Sequence, residues 1–252
     1  MAAHDLKRIN EKRQTWVPMN EQARAEQLIR SRQIKDWMVS PTSSQLLVHG
    51  DYEGKRYVSG LSLFCSSLVQ SLAAKAPQFI PLVFFCGLHT DRNTDDYTGG
   101  LAIIQNFICQ LLCQFDFDTK LLADAVDEDR VRHGDIHELC SLFEWLVNQL
   151  PRSVVLFCLI DGIIYYERRE FEDDMGLVLV TLLRISDEQS TQAVVKVLIT
   201  SSTRTSSVRK PFPDELILSM ESMARSDMTA SKWRLERQLR ESQEQWVDGE
   251  AG

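Results

Sequence analysis

The chain has 252 residues, 44% of them hydrophobic, with a formal net charge of -8 at pH 7. That apolar content supports a buried core and excludes disorder over most of the length, while the acidic balance speaks against nucleic acid as a partner. The N-terminus, MAAHDLKRINEKRQ, lacks the apolar segment of a secretory signal, and no run approaches the ~20 apolar residues that cross a bilayer, so the sequence predicts a cytoplasmic protein with no membrane contact.

Residues 1–20 read as a flexible arm, with Lys7, Arg8, Lys12 and Arg13 as a solvated cluster. Residues 21–38 read as one helix, in which Leu28, Ile29, Ile34, Trp37 and Met38 form an apolar stripe. The segment SPTSS, beginning at Ser40, breaks that pattern. Strand-length apolar runs then follow: QLLVHG ending at Gly50, FIPLVFFCGL over 79–88, SVVLFCLIDG over 153–162, AVVKVLITSS over 193–202, and a weaker ELILSM over 215–220. Runs without a polar face are expected of parallel strands covered on both sides.

Helical patterns separate these runs. Leu61, Phe64, Cys65, Leu68 and Leu72 share one face, as do Leu101, Ile104, Ile108, Leu111, Leu112 and Phe115. The cleanest pattern is Ile136, Leu139, Cys140, Phe143, Leu146, Val147 and Leu150, with Asp135 as its N-cap. A further helix is predicted over 172–184, opened by the acidic segment RREFEDD, whose acids suit a first turn. All six cysteines lie in apolar stretches and read as small buried hydrophobes of a reducing compartment. Residues 223–252 read as a charged tail, either an exposed helix anchored by Trp233 and Trp246 or a frayed end. Alternating strands and helices predict a parallel-sheet α/β domain over 21–222, a three-layer sandwich with an N-terminal helix and a polar C-terminal tail.

In such sheets ligands bind beyond the carboxyl ends of the strands. The first strand runs into GDYEGKRYVS. A phosphate loop needs G-x-x-x-x-G-K-[ST], whose backbone amides wrap the phosphates, whose Lys adds charge and whose hydroxyl holds Mg²⁺. Here Gly50 and Gly54 are one residue too close, Lys55 follows, and Arg56 stands in place of the hydroxyl. A second alignment makes Ser59 the N-cap of the next helix and leaves Lys55 in a longer loop. The third strand closes on Asp161, in the manner of a Walker B carboxylate that holds Mg²⁺. The fourth ends in polar residues, Thr200, Ser201 and Ser202, with Arg204 just beyond.

Together these segments resemble the NACHT-type branch of signal-transducing P-loop NTPases, in particular its fungal members. The resemblance rests on the order IKDWM, LLVHG, LVFFCGL, LAIIQNFICQLLCQF, VVLFCLIDG and VKVLITSS, and spans roughly residues 30–220. It implies a P-loop NTPase-like fold, with Gly50, Gly54, Lys55, Ser59, Ser201 and Arg204 on the nucleotide side and Asp161 as the Mg²⁺ residue. The chain departs from the family pattern at each motif. Ile164 and Tyr165 occupy the positions of the two acids after the third strand, and Ser201 and Ser202 those of a Ser-Arg pair. Losing an oriented base costs ~10²–10⁴ in rate, so the resemblance implies a retained fold with eroded catalysis. The expectation is a non-hydrolysing interaction module with a protein partner and no resident ATP or Mg²⁺. Two other readings stand beside it: a nucleotide-binding signalling NTPase with an atypical loop, and an unrelated α/β enzyme. Cys109 and Cys113, like His133 and His137, are spaced for metal, but no C-x-x-C or H-E-x-x-H accompanies them.

Overall fold

A computed structural model describes residues 1–187, 191–223 and 237. The expected tail over 223–252 therefore lies outside the described residues, apart from 223 and 237. The chain opens with three helices, α1 (Ala2–Trp16), α2 (Met19–Arg30) and α3 (Arg32–Val39), before β1 (Ser44–His49). Then come α4 (Gly60–Ala73), β2 (Phe79–Phe85), α5 (Gly99–Leu112), the short α6 (Leu122–Ala125) and α7 (Glu128–Arg132), and α8 (Ile136–Asn148). The series ends with β3 (Val155–Asp161), α9 (Arg169–Asp187), β4 (Val194–Ser201) and β5 (Ile217–Ser219).

The strands form one sheet in the order β2-β3-β4-β1-β5, and every pairing is parallel. Helices α1 to α4 pack on one face and α5, α8 and α9 on the other, giving the three-layer α/β sandwich of a P-loop NTPase-like fold. The period of two along a strand decides what each face receives. Val155, Phe157 and Leu159 of β3 face the α4 layer, whereas Leu156, Cys158 and Ile160 face α5 and α8. The same alternation turns Asp161 towards α4. On β4 it puts Thr200 on the side of Leu198, which also packs in the α4 layer.

Two expectations about the N-terminus change. Residues 1–20 are not a loose arm: α1 is helical, and Ile9 is fully buried against the α4 layer. Asn10 donates to Ser66 of α4 at 3.0 Å. Asp5 accepts from the His89 ring at 3.1 Å, while the other ring nitrogen meets Asp95 at 2.6 Å. Burial opposes a charge on His89, but the hydrogen bonds and charges of the two acids outweigh it and raise its pKa. The single helix expected over 21–38 is two helices, because Ser31 leaves the helical conformation and caps α3, accepting from the Ile34 amide at 3.3 Å. The cysteines also divide. Cys65, Cys86, Cys140 and Cys158 are buried, but Cys109 and Leu112 are exposed on α5, as is Cys113 at its C-cap. Among the described residues no group of three or more metal-ligating side chains gathers, and no helix is long and apolar enough to cross a membrane.

Candidate functional site at the carboxyl end of the sheet

Asp161 ends β3 and is 2% exposed. Ser62 Oγ donates to its Oδ2 at 2.6 Å, and Thr200 Oγ1 donates to its Oδ1 at 2.6 Å. Burial pushes the carboxyl up to about 6, against the lowering effect of the two hydroxyls. Ser62 also accepts from the Ser59 amide at 3.0 Å, while Ser59 Oγ accepts from the Leu61 amide at 3.1 Å. Ser59 and Ser62 thus form a reciprocal cap on α4. The cap is tied through Ser62 to the end of β3.

The loop over 50–59 folds back across the end of β4. The Gly50 amide donates to the Ser201 carbonyl at 2.7 Å, and the Tyr52 amide to the Ser202 carbonyl at 3.3 Å. A Cβ on Gly50 would lie 2.7 Å from the Ser202 carbonyl oxygen, so the approach requires glycine. The Arg56 amide reaches Ser202 Oγ at 3.4 Å.

Helix α2 closes this side of the loop. Its Arg24 pairs with Asp51 at 2.8 Å, both side chains about nine-tenths buried. Arg24 also bonds Gln27 and the main-chain oxygens of Met220 and Met223. Glu21 is buried at the head of α4, facing the Gly60 amide, with Arg56 at 3.3 Å. Burial raises the Glu21 carboxyl, and Arg56 and the Gly60 amide oppose that rise. A helix head is an anion seat; here its anion is the chain's own carboxylate. Tyr52 leans on the same point, since a Cβ on Gly60 would lie 2.6 Å from its hydroxyl oxygen. Glu21 Oε2, the Tyr52 hydroxyl and Ser201 Oγ are buried without a hydrogen-bond partner among the described residues.

The other sequence candidates lie apart from Asp161. Gly54 is an exposed turn glycine with φ of +80°. Lys55 lines a cavity of about 700 Å³ together with Arg8, Trp16, Arg56, Tyr57 and Leu88, and Asp161 is not in its walls. Arg204 is exposed and pairs with Glu221. Ile164 and Tyr165 pack into a 3-10 turn over Ile163–Tyr166, and Tyr165 stacks on Tyr57 with ring centres 5.1 Å apart. The structure therefore joins Gly50 to Ser201, joins Ser59 through Ser62 to Asp161, and leaves Lys55, Gly54 and Arg204 outside that cluster.

Glu21, Arg24 and Tyr52 carry no motif in the sequence, and Ser62 falls within the helical pattern that opens at Leu61. The one available signal for Ser62 was its place three residues after a serine N-cap, the position from which a side chain reaches back to the cap amide.

Comparison with known proteins matches the chain, over residues 24–202, to the model of a family described as Nephrocystin 3, N-terminal. The match covers well over half of the chain. The chain belongs to the Nephrocystin 3, N-terminal family. No curated protein and no solved structure matches it. Membership agrees with the NACHT-type resemblance in the sequence at the level of a NACHT-related domain. The match begins inside α2 and ends just past β4, so α1 lies outside it.

A nucleotide with Mg²⁺ asks this fold for open backbone amides, a hydroxyl and a carboxylate at the phosphates. In this member of the Nephrocystin 3, N-terminal family the Gly60 amide faces Glu21, Lys55 and Arg56 lie in the loop on a cavity whose walls exclude Asp161, and the hydroxyl at the head of α4, Ser62, is held with Thr200 on the Asp161 carboxylate. As arranged, these residues do not fit that group.

Proposed function

We propose that the chain is a non-hydrolysing protein-interaction domain, a cytoplasmic pseudoenzyme of fungal NACHT-like type on a P-loop NTPase-like framework. The observation that carries this reading is the commitment of Asp161. Both of its oxygens accept hydroxyls at 2.6 Å, from α4 and from β4, so the carboxylate works as an internal brace. Glu21 at the head of α4 supports the same reading, because a second anion there would meet a buried negative charge. The partner is a protein rather than nucleic acid, in keeping with the net charge of -8.

One observation favours a nucleotide-binding signalling domain instead: Lys55 is exposed on an open cavity and makes no hydrogen bond or ion pair among the described residues. Phosphate release and thermal melting with Mg²⁺ and ATP or GTP separate the two. The proposal expects no turnover and no shift in melting temperature. Turnover that Asp161→Ala abolishes would overturn it.

A further inference from the structure

The cavity beside α1 belongs to none of the machinery around Asp161. Three cations, Arg8, Lys55 and Arg56, share its walls, and no acidic residue lines it among the described residues. That is a local reversal of sign in a chain of net charge -8. Lys55 has no partner of its own among the described residues. Arg8 lies over the Trp16 ring at 5.2 Å, and Tyr57, 64% exposed, offers the ring face not stacked on Tyr165. Trp, Tyr and Arg are the residues that dominate protein-interface energetics, and aromatic rings beside cations accept an apolar side chain flanked by carboxylates.

From this charge complementarity we infer that the cavity is a docking site for an acidic peptide segment of a partner protein, with Lys55, Arg8 and Arg56 taking its carboxylates and Trp16 and Tyr57 an apolar side chain between them. The inference rests on the interaction reading above and names the chemistry of the partner. A concentrated phosphate is the poorer occupant. Thr15 and Trp16 belong to the last turn of α1, so the wall they form carries the negative end of that helix. Carboxylates dispersed along a peptide reach long, separate cationic side chains without crowding that end.

The test is fluorescence anisotropy of the full 252-residue chain with a short labelled peptide of glutamates flanking one tryptophan, and with its glutamine twin. The expected result is saturable binding of the acidic peptide only, weakening as salt rises. Lys55→Glu and Arg8→Glu should each reduce affinity on the order of tenfold with unchanged melting temperature, since both side chains are exposed. Absence of saturable binding, equal binding of the glutamine twin, indifference to both charge reversals, or displacement of the peptide by ATP would each overturn the assignment. Phosphate release is read separately. A failed peptide with no turnover leaves the non-hydrolysing reading standing, and turnover with the peptide still bound overturns that reading alone.

Discussion

The loop over 50–59 has two sides with opposite fates. On the inner side, Asp51 is locked to Arg24 and Tyr52 packs against the head of α4. On the outer side, Lys55, Arg56 and Tyr57 are exposed around an open cavity. Ten consecutive residues thus give the inner face to stability and the outer face to solvent. The difference teaches where a binding role can lie: groups paired internally, such as Asp51 with Arg24, are costly to redirect, whereas Lys55, exposed and without an ion pair among the described residues, is not.

The comparison is sharpest where the inner side is cut. Arg24→Ala removes the buried cation paired with Asp51 and the donor to the Met220 and Met223 carbonyls, and the expected loss is about 3–5 kcal/mol in urea unfolding. A loss near that of a surface substitution would mean that solvent reaches the inner side. Next is the pH profile set by Asp161. Its folded pKa is raised from 3.8 to about 6, so the stability gained from the protonated carboxyl is complete below about 3.8 and lost as pH rises through about 6. The change is on the order of 3 kcal/mol, and Asp161→Asn should flatten the curve in that window. An unchanged profile in the variant would show that Asp161 is not the group responsible.

Gly60→Ala is expected to cost about 1–3 kcal/mol by overpacking. Its Cβ would lie 2.2 Å from the Glu21 carbonyl oxygen, which belongs to a helix backbone and cannot swing away. A thermal melt equal to wild type would show that α2 does not press on the head of α4. The smallest effect belongs to the outer side: Lys55→Ala should shift stability by less than about 0.5 kcal/mol. A large loss there would erase the distinction between the two sides.

How much of this could be read in advance follows from locality. The run ending at Asp161 announced a strand covered on both faces, and β3 is buried along its whole length. Ser59 announced a cap because its partner, Ser62, is one helical turn away. Glu21 and Arg24 gave no such signal. They precede the loop by some thirty residues and reach it only because α2 packs on α4, a tertiary fact with no sequence period. The charged stretch around Ile9 concealed α1 for a similar reason. Its helix is held by one fully buried isoleucine and by Asp5 reaching His89, contacts distant in sequence. Cys109, Cys113 and Leu112 erred in the other direction, since α5 is apolar even on its outer side and composition alone does not say which side is covered.

The most direct measurement is isothermal titration calorimetry of the full chain with ATP or GTP and Mg²⁺, carried to ~1 mM, where a free energy of about -4 kcal/mol would still register. The account predicts no saturable heat, because the chain's own hydroxyls, Glu21 and Tyr52 occupy the groups and the space a nucleotide would need. A saturable isotherm that Asp161→Ala removes would contradict it.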